Sequence, residues 1–475
     1  MRLSAPLRLN KMAETGRFLT GSTMGHVVRM TATGAAGITF VFAVDAANLL
    51  WLSQLGDPRV VAAIGFAFAV QFFSVSVGVG MMIAATALVS RQIGEGRADD
   101  ARHTATGSMI LTVLAQALVA LLILAARYPL LEWAGAEGQT LDMAARYLSL
   151  TLPSLPLMAV GLIASAALRA SGDGKRAMYV TLGSGAVAAG LDPFLILWLE
   201  MGLDGAAVGL FVFRIIMATI ALRFAIGTHN LLARPSFGAA KLVAWPFVAI
   251  ALPAMATQIA APFGNYLLTA IISEFGDAAV AGWAVVNRLS VVAFGGIFAL
   301  AGAIGGIFGQ NFGAQALGRV QSTYRDAILF VLVYCLAIWA VLVLLSPHLA
   351  RIFGLEGEGA DVLRAFTHVG AGAFAFTGTL FVANSAFNSL GRPVAAAVAT
   401  WARDVVVIFP VALWMASFWG AIGVIYAQAV VGALMGVCVA WAGWRFVSML
   451  DRHDAGTVDL TMRRGYRDPN RYRRR

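Results

Sequence analysis

Two carboxylates stand where the sequence is otherwise apolar. Asp45 lies in FAVDAANLLWLSQLGD (residues 42–57) and Asp192 in GLDPFLILWLE (residues 190–200). A carboxylate at membrane depth costs several kcal/mol unless it is paired, hydrated or protonated, so each marks a candidate site. Each lies about eight residues, roughly 12 Å of helix, from the end of its apolar run, which places the two at matching depth. Two such acids facing one space can take up and release a proton, or hold a sodium ion or an organic cation. Pro193, directly after Asp192, removes a backbone donor and should kink its helix.

Other polar residues fall inside the same kind of run. Arg214 reaches a depth similar to Asp192 and could pair with it, which would hold the acid ionised and weaken the proton-carrier reading; Arg288 occupies the analogous depth later in the chain. Asn48, Gln71 and Gln258 are candidates for lining a substrate path, as are Asn265 and Asn287. Asp404, beside Arg403 and nearer the start of its run, reads as interfacial. Of the six histidines only His368 approaches an apolar interior, and it too reads as interfacial.

The elements that position these residues are long apolar helices. The chain has 475 residues, 60% hydrophobic and 12% charged, with a mean hydropathy of +0.80. Runs of about 20 or more apolar residues follow one another, each long enough for a bilayer core of roughly 30 Å. Lipid admits helices or closed barrels, and these runs are too long for barrel strands. The expectation is an all-α polytopic membrane protein. Twelve spans are placed at 27–53, 59–89, 104–126, 141–167, 178–200, 205–226, 243–273, 279–309, 323–346, 362–388, 394–418 and 420–447.

Of the 34 Lys and Arg, 27 fall on the side that holds both termini, five on the other (Arg59, Arg127, Arg146, Arg351, Arg364), and two within spans. Basic residues set orientation, so both termini are expected to be cytoplasmic. The net charge of +10 is then a property of alternating loops and of the tail RRGYRDPNRYRRR, not of a nucleic-acid surface. No removable signal peptide is read at the start. Trp51, Trp198 and Trp419 at outer span ends, with Trp245, Trp401 and Trp444 at inner ones, fit an aromatic belt. Cys335 and Cys438 lie in apolar runs and suggest no disulfide.

The chain repeats itself. LGDPRVVAAIG (55–65) answers FGDAAVAGWAV (275–285) at an offset of 220, and SRQIGEGRADDAR (90–102) answers GQNFGAQALGRVQ (309–321). Gly172 stands over Gly391. Six spans therefore repeat as six with the same topology. The expected layout is an N-terminal segment 1–26, a first lobe 27–226, a linker 227–242, a second lobe 243–447 and a basic tail 448–475. At the offset of 220, Asp45 becomes Asn265, so cation chemistry is expected in the first lobe. The glycine-rich stretches TLGSGAVAAG and FGGIFALAGAIGGIFG lie within spans and lack a phosphate loop's Lys-Ser/Thr. No nucleophile elbow, zinc spacing or His–carboxylate group appears, so no enzyme, metal or organic cofactor is expected.

The runs VDAANLLWLSQLGDPRVVAAIG, GQNFGA (309–314), FNSLGRP (387–393) and LDPFLI (191–196) together resemble multidrug and toxic compound extrusion (MATE) transporters, over about residues 25–447. The resemblance implies two six-helix lobes forming a V-shaped central cavity, and export of organic cations or other toxic compounds against proton or sodium entry. It places Asp45 and Asp192 on the first-lobe coupling carboxylates of the DinF-like branch. That branch usually has an Asn one turn before the second acid and a hydroxyl in span 6; here Ala188 and Leu210 stand there, which favours protons over sodium. The other branch's span-7 Glu is missing, and so is a proline near the start of span 1. Export of lipid-linked precursors, as by flippases of the same superfamily, is the competing reading, resting on Arg214 with Arg288. The loop after span 2 lacks the Asp-Arg-x-Gly-Arg order of major facilitators. The implied setting is a monomer in the inner membrane, with small-molecule substrates and no nucleic-acid partner.

Overall fold

The computed structural model describes residues 16–450. The basic tail and the arginines and lysine before residue 16 lie outside them. Among the described residues there is no β-strand, and twelve helices are long and apolar enough to cross a membrane. They are α1 Thr23–Ser53, α2 Pro58–Gly94, α3 Ala98–Trp133, α4 Gly138–Ala170, α5 Gly174–Trp198, α6 Gly202–Gly227, α7 Phe237–Ser273, α8 Asp277–Gly313, α9 Leu317–Ile352, α10 Gly357–Ser389, α11 Pro393–Trp419 and α12 Ala421–Met449. Each expected span has its helix, and most helices outrun the apolar run. α3 continues through Arg127, Pro129 and Glu132 to Trp133, so the helix runs on past its apolar stretch despite a proline near its end.

Helix starts follow the local chemistry. Asp57 precedes Pro58, accepts from the Arg59 backbone N–H at 2.9 Å and so caps α2. Asp173 does the same for α5 through the Arg176 N–H at 3.0 Å. The turns between helices repeat with the sequence. Gly56 and Gly276, Gly135 and Gly354, Gly172 and Gly391, and Gly202 and Gly420 all have positive φ, at separations of 218 to 220 positions. Gly96 pairs in this way with Gln315, whose φ of 58° puts a side chain into the left-handed region.

Four breaks interrupt the helices. α4 tightens to a 3-10 turn at Leu152–Ser154, where Pro153 and Pro156 withhold backbone donors. The Leu155 N–H then bonds Leu152 O, which frees the Thr151 carbonyl. α5 widens to a π turn at Phe194–Trp198, directly after Pro193. α10 and α11 carry π turns at Phe366–Gly370 and Ala402–Val407.

The chain forms two compact units, one holding residues 36–255 with Arg17, the other Phe18–Ala35 with residues 256–450. α1 and α7, the first helix of each repeat, thus divide their length between the two. The first unit's core centres on Leu148, Leu152, Leu155 and Leu168, with a second cluster around Ile163 and Phe247. The second unit's core includes Trp283, Phe308 and the stacked rings of Phe294 and Phe374, 4.0 Å apart. Trp401 donates to Ala256 O at 2.9 Å and lies against Phe263. Its indole thus ties α11 to α7 within the second unit.

The segment between α6 and α7 is pinned onto the first unit. Thr106 Oγ1 accepts from the Ala233 N–H at 2.9 Å and donates to the Ala233 carbonyl at 3.2 Å. Arg102 donates to Asn230 at 3.0 Å, and His229 Nε2 meets Asp173 Oδ2 at 2.8 Å. Burial pushes the Asp173 carboxyl up, but hydrogen bonds from His229 and from the backbone and guanidinium of Arg176 outweigh it and hold the group well below the usual carboxylate range. A depressed folded-state value means that the stabilisation is present above the ordinary value of about 4 and is lost as pH falls below it. Asp173→Asn, which can still cap α5, is expected to lower the thermal midpoint at neutral pH and to flatten its decline in acid. An acid melting profile identical to that of the unmodified protein would show that these bonds stabilise nothing.

Candidate functional site

Asp192 is the centre of the site. It lies at the end of the regular part of α5 and is 4% exposed. Its Oδ2 accepts from Asn48 Nδ2 of α1 at 2.8 Å. Its Oδ1 is buried and has no hydrogen-bond partner among the described residues. Asp45 lies three residues before Asn48, on the same face of α1, and close enough for the two carboxylates to interact electrostatically. Unlike Asp192, Asp45 is exposed at the surface of its helix. The pair expected from matching depth is therefore brought together within the first unit, one acid buried and the other open, with Asn48 between them.

Glycine makes the buried position possible. α6 presses onto α5 through Gly205, where an added Cβ would meet the Leu195 backbone, and Gly209, where it would meet Asp192 Oδ1. Gly209→Ala is expected to cut transport as deeply as removing the carboxylate, with folded protein still recovered. Transport at the unmodified rate would show that Asp192 moves aside without cost.

Arg214 does not take up the pairing with Asp192 that depth alone allowed. It is 3% exposed, and its Nη1 donates to the freed Thr151 carbonyl at 3.0 Å and to Ser154 Oγ at 2.8 Å. No ion pair joins it to an acid among the described residues. Ser154 Oγ also donates to Thr151 O at 2.6 Å, so the carbonyl released by the proline break in α4 accepts from both the serine and the arginine. Gln71 is spent on the same place, donating to Thr151 Oγ1 at 2.5 Å. Both side chains are thus anchored to the break in α4, Arg214 through Nη1 and Gln71 through Nε2.

Gln258, Asn265, Asn287 and Arg288 belong to the second unit, on α7 and α8. Their side chains form no hydrogen bond with one another among the described residues; Arg288 is exposed and the other three are half-buried. Asp404, read as interfacial, lies in the second unit. Its side chain is 11% exposed and paired with Arg403 at 2.8 Å. His368 is exposed, its Nδ1 2.9 Å from Arg364 O.

Sequence reasoning missed Tyr147, a buried phenol on α4 within electrostatic reach of Asp45, Asp192 and Arg214. Its spacing of four from Thr151 was the available signal. Among the described residues no group of three or more His, Cys, Asp or Glu could hold a metal ion.

Twelve long apolar helices in two repeats, with a carboxylate buried in the first unit, are those of a polytopic membrane protein. The MatE family model matches residues 35–194 and 253–414, and the chain belongs to that family. It is 25% identical over 448 residues to a protein of Shewanella oneidensis named FAD transporter, covering 93% of this chain and 99% of that one. It is 21% identical to the multidrug export protein MepA of Staphylococcus aureus over 82% of this chain and 86% of that one. Among solved structures, a mutant of the Vibrio cholerae MATE transporter VcmN superposes with a TM-score of 0.84 at 23% identity, covering 91% of this chain and 98% of that one. A MATE transporter in the straight conformation gives 0.85 at 20% identity, covering 92% and 99%.

Proposed function

We propose that the chain exports organic cations or other xenobiotics in exchange for protons, with Asp45 and Asp192 as the groups that take up and release the coupling ion. The observation that carries this reading is the Asp192 carboxylate, buried, held on one oxygen by Asn48 and bare on the other, beside a second acid. A sodium ion needs several converging oxygens. Around Asp192, Ala188 stands where the family's DinF-like branch has an amide, and Leu210 where it has a hydroxyl, which leaves the proton as the fitting ion. The protein would work as a monomer in the inner membrane with both termini cytoplasmic, as the split of basic residues supports. The flippase reading loses its main support, since Arg214 is engaged by α4.

The test is exchange in reconstituted vesicles. Addition of an organic cation should dissipate an imposed pH gradient and leave an imposed sodium gradient intact; dissipation of the sodium gradient alone would overturn the assignment of the ion. A second substrate, an anionic dinucleotide, is favoured by the full-length likeness to the Shewanella oneidensis protein named FAD transporter. FAD added to the same vesicles in place of the cation decides between them.

A further inference from the structure

The second unit buries three oxygen acceptors, Asn384 Oδ1 and Asn388 Oδ1 on α10 and Asp404 Oδ2 on α11, that have no hydrogen-bond partner among the described residues. Asp404 stands on the π turn of α11, twelfth in a helix of 27 residues, and π turns recur where helices are bent to a function. Its Oδ1 accepts from Arg403 Nη1 at 2.8 Å, and Arg403 Nη2 donates to Thr377 Oγ1 of α10 at 3.0 Å. Its Oδ2 is buried without a hydrogen bond among the described residues.

One turn towards the start of α11, Thr400 Oγ1 donates its hydrogen to Ala396 O at 2.9 Å. It can then only accept, and Asn384 of α10 donates Nδ2 to it at 2.9 Å. That fixes the orientation of the amide and turns Asn384 Oδ1 away, where it is buried and unpartnered. Asn388, one turn further along α10, also carries a buried, unpartnered Oδ1. The two asparagines are 6% and 4% exposed. Beyond them the chain turns at Gly391.

Buried acceptors are rarely left bare, so three in sequence require donors. Their arrangement says which kind. Asn384 and Asn388 are a helical turn of about 5.4 Å apart on α10, and Asp404 follows Thr400 by one turn of α11, so the acceptors are spread over successive turns of two helices. Acceptors spread in this way, one of them a carboxylate, suit water molecules that relay a proton. The other charged and titratable groups facing it are few. α10 has none between Ala371 and Ser389, α7 beyond Ala256 has only the exposed Tyr266, α12 has Tyr426, Cys438 and Arg445, and Arg403 is the neighbour on α11 itself.

We propose that Asp404 is a second proton-binding site, reached from the turn at Gly391 through a hydrated column lined by Asn388, Asn384 and Thr400. The site lies wholly in the second unit and stands apart from the Asp45 and Asp192 reading.

Infrared difference spectroscopy of the full chain in lipid nanodiscs, with carboxyl-labelled aspartate, tests it. One pH-dependent protonated-aspartate band should survive in Asp45→Asn with Asp192→Asn, and disappear in Asp404→Asn. Asp404→Glu keeps the charge beside Arg403 and should replace that band with an unlabelled one. Asn384→Leu with Asn388→Leu should slow hydrogen–deuterium exchange of the band at least several-fold. Absence of any Asp404-dependent band with Asp404→Glu folded would overturn the proposal, because the ion pair would then be structural. Unchanged exchange in the leucine pair would overturn the column, and a band that responds to sodium but not to pH would overturn the proton.

Discussion

Asp192→Asn is expected to reduce substrate-driven proton flux to that of protein-free vesicles, with melting temperature and yield close to those of the unmodified protein. The substitution keeps the shape of the side chain. Asn48 can still donate to the remaining carbonyl oxygen where it now meets Oδ2 at 2.8 Å, so the contact between α1 and α5 persists. What disappears is the group that gains and loses a proton. Asp45→Asn should have the same effect for a different structural reason: that acid is exposed and carries no packing duty, so its loss removes chemistry alone. Measured in the gradient assay, coupled efflux at the unmodified rate in both variants would remove these carboxylates from the mechanism.

Arg214 carries the second large expectation, and it concerns stability. The side chain is buried and holds together the break in α4 by two hydrogen bonds. Arg214→Ala would leave a cavity of most of a long side chain and strip Thr151 O and Ser154 of a charged donor, at a cost of about 2–5 kcal/mol. Arg214→Met separates shape from charge. Methionine fills the space, and relief from burying a cation offsets the lost hydrogen bonds, so its stability should lie near that of the unmodified protein. Efflux per folded molecule should also persist in Arg214→Met, since the guanidinium serves α4 and not a carboxylate. A methionine variant that melts normally but does not transport would return Arg214 to the site, and an alanine variant of normal stability would refute the structural role.

The fold was legible because lipid makes it so: an apolar run of 20 residues has one way to satisfy its backbone. Helix ends were less legible, since α3 runs on past its apolar stretch and through Pro129, a residue that usually ends a helix. In the site, Asp45 and Asp192 announced themselves as charges in apolar surroundings. The failure at Arg214 has a geometric cause. Counting residues gives depth along a helix axis, whereas partnership depends also on which way the side chain points around that axis, and Pro153 with Pro156 created a competing carbonyl at the same depth. Gly209 and Tyr147 were hidden for another reason. Glycine and tyrosine are ordinary in membrane helices, and only the packing shows one lying against Asp192 and the other buried within electrostatic reach of the charged groups.

The left-handed turns that recur at 218 to 220 positions have a consequence for how such a chain diverges. After a duplication, side chains inside the helices were free to drift apart, as Asp45 and Asn265 did, because a helix tolerates many residues at one position. The corners were not free, since a bend into that backbone region admits glycine cheaply and little else. The chain is in this sense a frame copied twice, whose corners keep the ancestral measure while its two interiors have acquired different trades. Gln315 marks the one corner of the matched set where drift has begun to reach the frame itself.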